Sequence, residues 1–95
     1  MRQLLFASSF KRAFKKLTRR QPNLRVQVED RLRLLVQDPF SPKLQTHRLK
    51  GKLSGAWACS VEYDCRIIFN FVESINDDAE DDILLIDIGS HDEVY

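Results

Sequence analysis

The spacing of the apolar residues changes once along this chain of 95 residues, and that change limits the folds it can adopt. Phe10, Phe14 and Leu17 recur every three or four residues, which places them on one face of a helix. A second stripe with helical spacing contains Leu24, Val28, Leu32 and Leu35. In residues 65–72 the spacing changes to alternation, with Arg66, Ile68 and Asn70 on one face of a strand and Ile67, Phe69 and Phe71 on the other, so Arg66 is expected to emerge on one face of the sheet. The sequence therefore predicts two amphipathic helices followed by β-structure, in a single domain spanning residues 1–95.

Turn-forming residues set the ends of the two helices. Residues 2–7 are predicted to form a short first strand. Ser8 or Ser9 is predicted to cap the helix that follows, because a serine hydroxyl can accept from the amides of a helix's first turn. A proline-containing turn separates the helices, and Asp38-Pro39 ends the second, since proline disfavours the α-region for the residue before it. The two helices thus form a helical hairpin.

The second half of the chain is predicted to be a sheet preceded by a long irregular loop at residues 39–55. The strands are expected at residues 57–62, 65–72 and 83–88, with a hairpin turn at residues 62–64. The acidic run at residues 76–82 lacks the central glycine and closing glutamate of a calcium loop, which favours a solvated turn. The resulting order, β-α-α-β-β-β, predicts an α+β fold in which the helical hairpin packs on a small antiparallel sheet.

The two halves of the chain carry opposite charge. Residues 1–52 contain 14 Lys/Arg and 3 Asp/Glu, whereas residues 53–95 contain one arginine, Arg66, and 11 Asp/Glu. Such asymmetry indicates a polyanion as partner of the basic half, unless the fold brings the halves together and their charges pair. The first helix alone carries six basic residues. We favour a docking surface for RNA phosphates over a merely solvated face, and predict binding that weakens with salt.

Several classes of protein are disfavoured by the composition. The two cysteines, Cys59 and Cys65, form no CxxC pair or Cys/His cluster, so we expect two reduced thiols, no metal and no cofactor. The apolar stretch at the N-terminus is too short for a signal peptide or a membrane span. We therefore expect a cytoplasmic protein that does not bind membranes.

Four segments of the sequence carry a resemblance to a known family. They are His47-Arg48-Leu49-Lys50-Gly51, Trp57, Tyr63-Asp64-Cys65-Arg66-Ile67-Ile68-Phe69 and Gly89-Ser90-His91-Asp92-Glu93-Val94-Tyr95. The C-terminal Gly-Ser-His-x-x-x-Tyr is among the more specific of these patterns. With the order of the elements, they make the chain similar to the RelE/ParE toxin superfamily, and most of all to the YafQ-like ribonucleases.

That resemblance implies the toxin of a type II toxin–antitoxin system. Such a toxin is a ribosome-dependent endoribonuclease that enters the ribosomal decoding site and cleaves mRNA there, by 2′-hydroxyl attack on the adjacent phosphate and without a metal. The implied partners are a cognate antitoxin, the mRNA and the ribosome, with operator DNA bound only through the antitoxin complex. Two alternatives stay open: a ParE-like inhibitor of DNA gyrase, which His91 and Tyr95 argue against, and a catalytically weak homologue that only binds its antitoxin.

The resemblance also implies which residues form the site. Matching positions for the catalytic residues are Asp64, His47, His91 and Tyr95, with Arg66 as the phosphate-binding arginine. Cleavage needs a base for the 2′-hydroxyl, an acid for the 5′-oxygen and positive charge on the phosphorane. We assign the acid to His91 and the base to Asp64 or His47, and expect Tyr95 to stack on a nucleobase or donate its hydroxyl. Binding of the substrate is expected from Arg48, Lys50 and Lys52.

Structural explanations stand beside these assignments. His47 would then be a loop histidine bonded to the backbone, Asp64 a turn residue and Tyr95 an aromatic residue packed on the sheet. Trp57 is expected in the core. The chain also departs from some YafQ-like members, which carry a further histidine where Ser60 stands. That departure leaves the identity of the base open and keeps the catalytically weak homologue among the alternatives.

Overall fold

The computed structural model describes residues 2–51, 55–62, 64–74 and 80–90 of the chain. In chain order the elements are β1 (Leu4–Phe6), α1 (Ser8–Arg20), α2 (Leu24–Gln37), a 3-10 helix (Pro42–Leu44), β2 (His47–Arg48), β3 (Trp57–Val61), β4 (Cys65–Val72) and β5 (Asp82–Ser90). The strands form one sheet in the order β1-β5-β4-β3-β2. The two helices pack on this sheet, so the predicted α+β fold is confirmed.

The sheet is mixed rather than antiparallel throughout. Strands β3, β4 and β5 pair antiparallel as predicted, and β2 pairs antiparallel with β3, but β1 runs parallel to β5, with Leu4 opposite Ile83. Parallel pairing requires a long connection, and here the helical hairpin and three strands lie between the two partners. Strand β2 was not predicted, because its two residues are too few to show any periodicity. The loop predicted at residues 39–55 is thus interrupted by a 3-10 helix and a strand.

The start of α1 differs from the serine cap predicted for it. Ala7, with φ −66° and ψ 152°, is the N-cap, and no side chain caps the helix. Ser8 is already helical. The Ser9 hydroxyl donates instead to the carbonyl of Ile86 at 2.6 Å, which ties α1 to β5. The end of α2 is as predicted: the Asp38 amide donates to the carbonyl of Leu34 at 2.7 Å, and Pro39 follows.

The hydrophobic core lies between the helices and one face of the sheet. It contains the predicted helical stripe residues Phe10, Leu17, Leu24, Val28, Leu32 and Leu35, together with Cys59, Val61, Ile67, Phe69, Ile83 and Leu85 from the strands. Both cysteines are free and buried, as expected. Burial, with a smaller effect from neighbouring Cys65, raises the pKa of the Cys59 thiol to about 12. The Cys59 thiol is therefore neutral at physiological pH and poorly nucleophilic.

The opposite face of the sheet, which we call the far face, carries a smaller apolar cluster. Its members are Leu49, Ala56, Ala58 and Ile68, with Ile86 packed against them. The Leu49 amide donates to the carbonyl of Ala56 at 2.9 Å, which joins the end of β2 to the start of β3. Toward the β3–β4 turn, the far face carries Ser60 and Arg66.

Candidate functional site

A polar row crosses the far face near the β3–β4 turn. Ser60 of β3 lies opposite Arg66 of β4, and Arg66 lies opposite Gly89 of β5. Ser60 is buried, and its hydroxyl donates to the side-chain oxygen of Gln45 at 3.1 Å. Gly89 contributes no side chain beside Arg66. We call Gln45, Ser60 and Arg66 the polar row.

Arg66 is half-buried in the middle of the sheet. Apolar neighbours Ile67 and Cys65 point into the core, so the strand's alternation places Arg66 on the far face, as the sequence predicted. Its Nη1 donates to the carbonyl of Cys65 at 3.2 Å. A strand paired on both sides fixes the backbone of this arginine, which suits the binding of a phosphate in one orientation.

His47 lies one row away on the same face. It is an exposed residue of β2 and is paired with Ala58, whose neighbour two positions along β3 is Ser60. The His47 Nδ1 is 3.0 Å from the backbone carbonyl of Gln45. A carbonyl oxygen only accepts, so a hydrogen bond between these two atoms requires the hydrogen on Nδ1, which in the neutral ring leaves the lone pair on Nε2. The expected backbone bond is therefore present, and it is compatible with a role as base.

The segment that carries His47 is held by several contacts. Leu44, at the end of the 3-10 helix, is fully buried in the core. Gln45 follows in the left-handed region, with φ 52° and ψ 40°, and its amide donates to the carbonyl of Pro42 at 3.2 Å. The Thr46 hydroxyl donates to the carbonyl of Pro39. His47 is thus placed by an anchored turn rather than by an irregular loop.

Asp64 lies at the end of the β3–β4 turn, exposed and two residues before Arg66. The predicted turn is confirmed, since β3 ends at Val61 and β4 begins at Cys65. Asp64 lines a cavity of about 250 Å³, together with Leu17, Gln21, Leu24, Glu62, Cys65 and Ser90. Because Leu17 and Leu24 belong to the helices, this cavity lies on the helix side of the sheet, whereas the polar row lies on the far face.

Strand β5 ends at Ser90, which lies opposite Cys65 and therefore next to the Asp64 turn. His91 and Tyr95, which come after Ser90 in the sequence, lie outside the described residues, as does Lys52. Their assignments as acid, stacking residue and substrate-binding residue stay predictions.

The other two predicted substrate-binding residues are not gathered with the polar row. Arg48 lies opposite Trp57, and its guanidinium sits 5.2 Å from the centre of the indole ring, on the opposite side of the sheet from His47. Trp57 is packed against the core beside Phe40 and Phe71, as expected. Lys50 is exposed in the segment after β2. Any contact of Arg48 with RNA would thus be made across the β2 edge.

A basic surface covers the outer side of α1. All six of its basic side chains are exposed: Lys11, Arg12, Lys15, Lys16, Arg19 and Arg20. Among the described residues, the ion pair between Arg2 and Glu80, at 3.8 Å, joins the basic half of the chain to the acidic half. The described pairs of Arg25 and Arg31 lie within α2. The fold therefore leaves the positive charge of α1 at the surface.

Neither a metal cluster nor a membrane helix is found within the described part of the chain. No three His, Cys, Asp or Glu side chains there are grouped so that they could hold a metal ion. None of the helices described is long and apolar enough to cross a membrane.

Sequence reasoning missed Gln45. Its carbonyl contacts the His47 ring and its side chain contacts Ser60, yet glutamine shows no preference for the left-handed backbone that makes both contacts possible. The available signal was weak: a residue two positions before a candidate histidine, next to a proline-initiated turn.

Comparison with known proteins gives a consistent result. Residues 2–95 match the model of a family described as the bacterial toxin of type II toxin-antitoxin system, YafQ. A copper-bound mutant toxin from Helicobacter pylori is 28% identical, with a TM-score of 0.72 and 100% of both chains covered. YafQ from E. coli is 16% identical, with a TM-score of 0.76, over 100% of this chain and 99% of that one. The E. coli DinJ-YafQ complex gives 15% identity and a TM-score of 0.77 with the same coverage. No curated protein matches the sequence of this chain.

Proposed function

Because the chain belongs to the YafQ family of bacterial toxins of type II toxin–antitoxin systems, we propose that it is an endoribonuclease that cleaves mRNA on the ribosome. The observation that carries this proposal is the presence of His47 and Arg66 in adjacent rows of the far face, with Asp64 two residues before Arg66 in the β3–β4 turn. Strands lie about 4.8 Å apart, so the backbones of β2 and β4 are about 10 Å apart. His47 and Arg66 are also offset by two residues along the strands, so their Cα atoms are about 12 Å apart, and both side chains can reach a phosphodiester group between them.

The proposed reaction is an internal transesterification. A base, His47 Nε2 or Asp64, takes the proton of the 2′-hydroxyl, and the 2′-oxygen forms a bond to the adjacent phosphorus. The bond from phosphorus to the 5′-oxygen breaks, and His91 gives its proton to that leaving oxygen. Arg66 stabilises the extra negative charge on the phosphorane. The products are a 2′,3′-cyclic phosphate and a 5′-hydroxyl, so the charges and protons balance without a redox step.

We further propose that this reaction needs no metal, since the side chains named above supply the base, the acid and the positive charge. The H. pylori relative was crystallised with copper, which makes the point worth testing. Cleavage by this protein is expected to be unchanged after treatment with EDTA. A loss of cleavage that returns on adding a divalent metal would overturn this part of the proposal.

The proposed partners follow the same family assignment. We propose that a cognate antitoxin binds and neutralises this chain, as DinJ is bound to YafQ in the E. coli complex. The site of action would be the cytoplasm, where translating ribosomes and mRNA are found. The exposed basic side of α1 is suited to ribosomal RNA phosphates, whose contacts are sequence-independent and salt-sensitive.

One observation favours a second candidate, a homologue that binds its antitoxin but cuts slowly. Ser60 stands where some YafQ-like members have a histidine, and its hydroxyl is already engaged with Gln45. Ser60 has no group with a pKa near neutrality and cannot replace that histidine as a base. A slow enzyme would still depend on the same residues, so only a measured rate separates the two candidates.

The test is primer extension on a defined mRNA during translation, with wild-type protein and with His91→Ala. Wild-type protein is expected to cut at fixed codon positions, and the variant to cut about two orders of magnitude more slowly. Growth arrest in cells without any cut by the wild-type protein would overturn the nuclease proposal and direct attention to DNA gyrase. Cutting at the same rate by His91→Ala would overturn only the role of His91.

A further inference from the structure

We infer that Gln45 is a positioning residue: it fixes the tautomer and ring orientation of His47 so that Nε2 is the atom that takes the proton. This inference rests on the proposed function for its catalytic meaning, but not for its geometry. The inference also favours His47 over Asp64 as the base, because the contacts of Gln45 orient the imidazole of His47.

Gln45 makes three hydrogen bonds that together determine where its carbonyl points. Its amide donates to the carbonyl of Pro42 at 3.2 Å, and its side-chain oxygen accepts from the Ser60 hydroxyl at 3.1 Å. Its own carbonyl lies 3.0 Å from His47 Nδ1. Gln45 is therefore bonded to the 3-10 helix through its amide, to strand β3 through its side chain and to the imidazole of His47 through its carbonyl.

The left-handed backbone of Gln45 is what allows these bonds to form together. Its φ is 52°, a region that residues other than glycine, asparagine and aspartate rarely adopt. Outside glycine, Glu62 is the one other described residue with a positive φ, and it lies in the β3–β4 turn. Uncommon backbone conformations persist where surrounding contacts hold them, and they occur often at functional sites.

The chemical consequence concerns the two nitrogens of His47. A neutral imidazole exchanges between two tautomers, with the hydrogen on either nitrogen. A carbonyl at Nδ1 stabilises only the tautomer with the hydrogen there, so the lone pair is placed on Nε2. When Nε2 takes the 2′-hydroxyl proton, the ring becomes cationic and its bond to the Gln45 carbonyl becomes charge-assisted and stronger. Gln45 thus stabilises the form of His47 that appears during the reaction.

The hydrogen bond to Gln45 also indicates a structural role for Ser60 in this chain. Ser60 is buried, only 7% exposed, and donates to a side chain from the 45–47 segment. A serine there cannot act as base, but it can anchor the residue that orients one. The polar row is then a support for His47 as well as a site for the phosphate.

The test uses the imidazole nitrogens directly, in the free, full-length protein. The chain has two histidines, so His91→Gln leaves His47 as the single imidazole to be observed. Long-range proton–nitrogen NMR distinguishes the two neutral tautomers, and the spectra are recorded at increasing pH until the imidazole signals no longer change. We expect the Nδ1-protonated tautomer to dominate. A dominant Nε2-protonated tautomer overturns the inference.

Three variants in the same background separate backbone from side chain. Gln45→Gly tolerates the positive φ and keeps the carbonyl but loses the side-chain bond to Ser60, so the Nδ1-protonated tautomer is expected to decrease only in part. Gln45→Val places a β-branched residue where it is strongly disfavoured, and the signal should become a mixture of both tautomers. Ser60→Ala removes the same side-chain bond from the other partner and should give the same partial decrease as Gln45→Gly, which keeps the test valid if Gln45→Val fails to fold. The matched control is Glu62→Val, with the same backbone conflict at the other positive-φ position, which should leave the His47 signal unchanged.

Cleavage assays with His91 restored supply the functional readout. Gln45→Val is expected to lower kcat about tenfold with little change in KM, whereas Gln45→Gly stays within a few-fold of wild type. Equal tautomer populations in Gln45→Gly and Gln45→Val would overturn the inference. If the tautomer is as expected but the wild-type protein cuts no mRNA, the proposed function fails while the positioning stands. If the wild-type protein cuts mRNA but His47 is mainly Nε2-protonated, the positioning fails while the proposed function stands.

Discussion

The two faces of the sheet carry different kinds of residue. The face under the helices is apolar and closed, with Phe69, Ile67 and Val61 fully buried. The far face has a smaller apolar cluster around Ala58 and Ile68, and toward the β3–β4 turn it carries Ser60 and Arg66. Successive residues of the same two strands supply both faces. Substitutions one residue apart should therefore have separable effects, on stability from one face and on cleavage from the other.

The largest effect is expected on the helix face, from Phe69→Ala. Phe69 is fully buried in the core, and truncation of a buried phenylalanine costs about 3–5 kcal/mol. Denaturant unfolding followed by circular dichroism would measure this loss. The control is Val26→Ala on α2, where the side chain is 69% exposed and the change should stay within about 0.5 kcal/mol. Equal losses for the two variants would contradict the assignment of the core.

The strongest test of the far face is Arg66→Ala. Loss of a group that stabilises developing negative charge costs about 10²–10³ in kcat, while folding should change by less than about 1 kcal/mol. Single-turnover cleavage on translating ribosomes measures the rate. Arg66→Lys should recover part of it, because lysine keeps the charge but lacks the planar fork. Asn70→Ala, on the same strand and the same face, is the matched control and should cut at nearly the wild-type rate. If the Arg66→Ala protein cleaves at the wild-type rate, the far face has no role in the reaction.

A pH experiment tests whether the Cys59 thiol, on the face of the sheet under the helices, is buried. Burial raises the pKa of Cys59 from 9.0 to about 12, so the folded protein holds this proton more tightly than the unfolded chain does. The contribution of this thiol to stability is fully present below pH 9 and is lost as the pH rises toward 12, by about 1.4 kcal/mol per pH unit. Urea unfolding of the wild type and of Cys59→Ala at several pH values isolates it. A constant difference between the two proteins up to pH 11 would be inconsistent with the buried thiol.

The smallest effect is expected from the basic surface of α1, which belongs to neither face of the sheet. Lys15→Gln should weaken binding to the ribosome a few-fold and make the slope of log K against log salt about one unit shallower, if Lys15 contacts a phosphate. Cleavage chemistry and folding should be unaffected. Lys43→Gln, which makes the same charge change on the 3-10 helix, is the control. Identical salt slopes for Lys15→Gln and the wild type would mean that this position is simply solvated.

The elements with long repeating patterns were the ones that could be predicted from sequence. The stripes of α1 and α2 were identified because their burial in one core requires side chains three or four residues apart, and all but one of the seven stripe residues are buried. The alternation around Arg66 likewise placed this arginine on the face opposite the core. Phe14 is the exception, half-buried and packed against the core from its edge.

Short and irregular elements could not be predicted. Strand β2 has two residues and pairs with β3 only because the 3-10 helix before it turns the chain back, and the serine expected as a cap bonds instead to β5. The parallel pairing of β1 with β5 joins segments almost 80 residues apart. Such contacts depend on where distant parts of the chain meet, and no local pattern encodes that.

The helical hairpin, the β3–β4 hairpin with its turn, the faces of the sheet and the family thus follow from the sequence, because periodicity, turn residues and motifs are local properties. Which polar residues meet depends instead on the tertiary structure. In the tertiary structure, His47 lies beside the polar row and Arg48 lies on the other side of the sheet. Gln45 contacts both His47 and Ser60. The physical reason is that a one-residue step along a strand reverses the face, while strand pairing joins residues far apart in the chain.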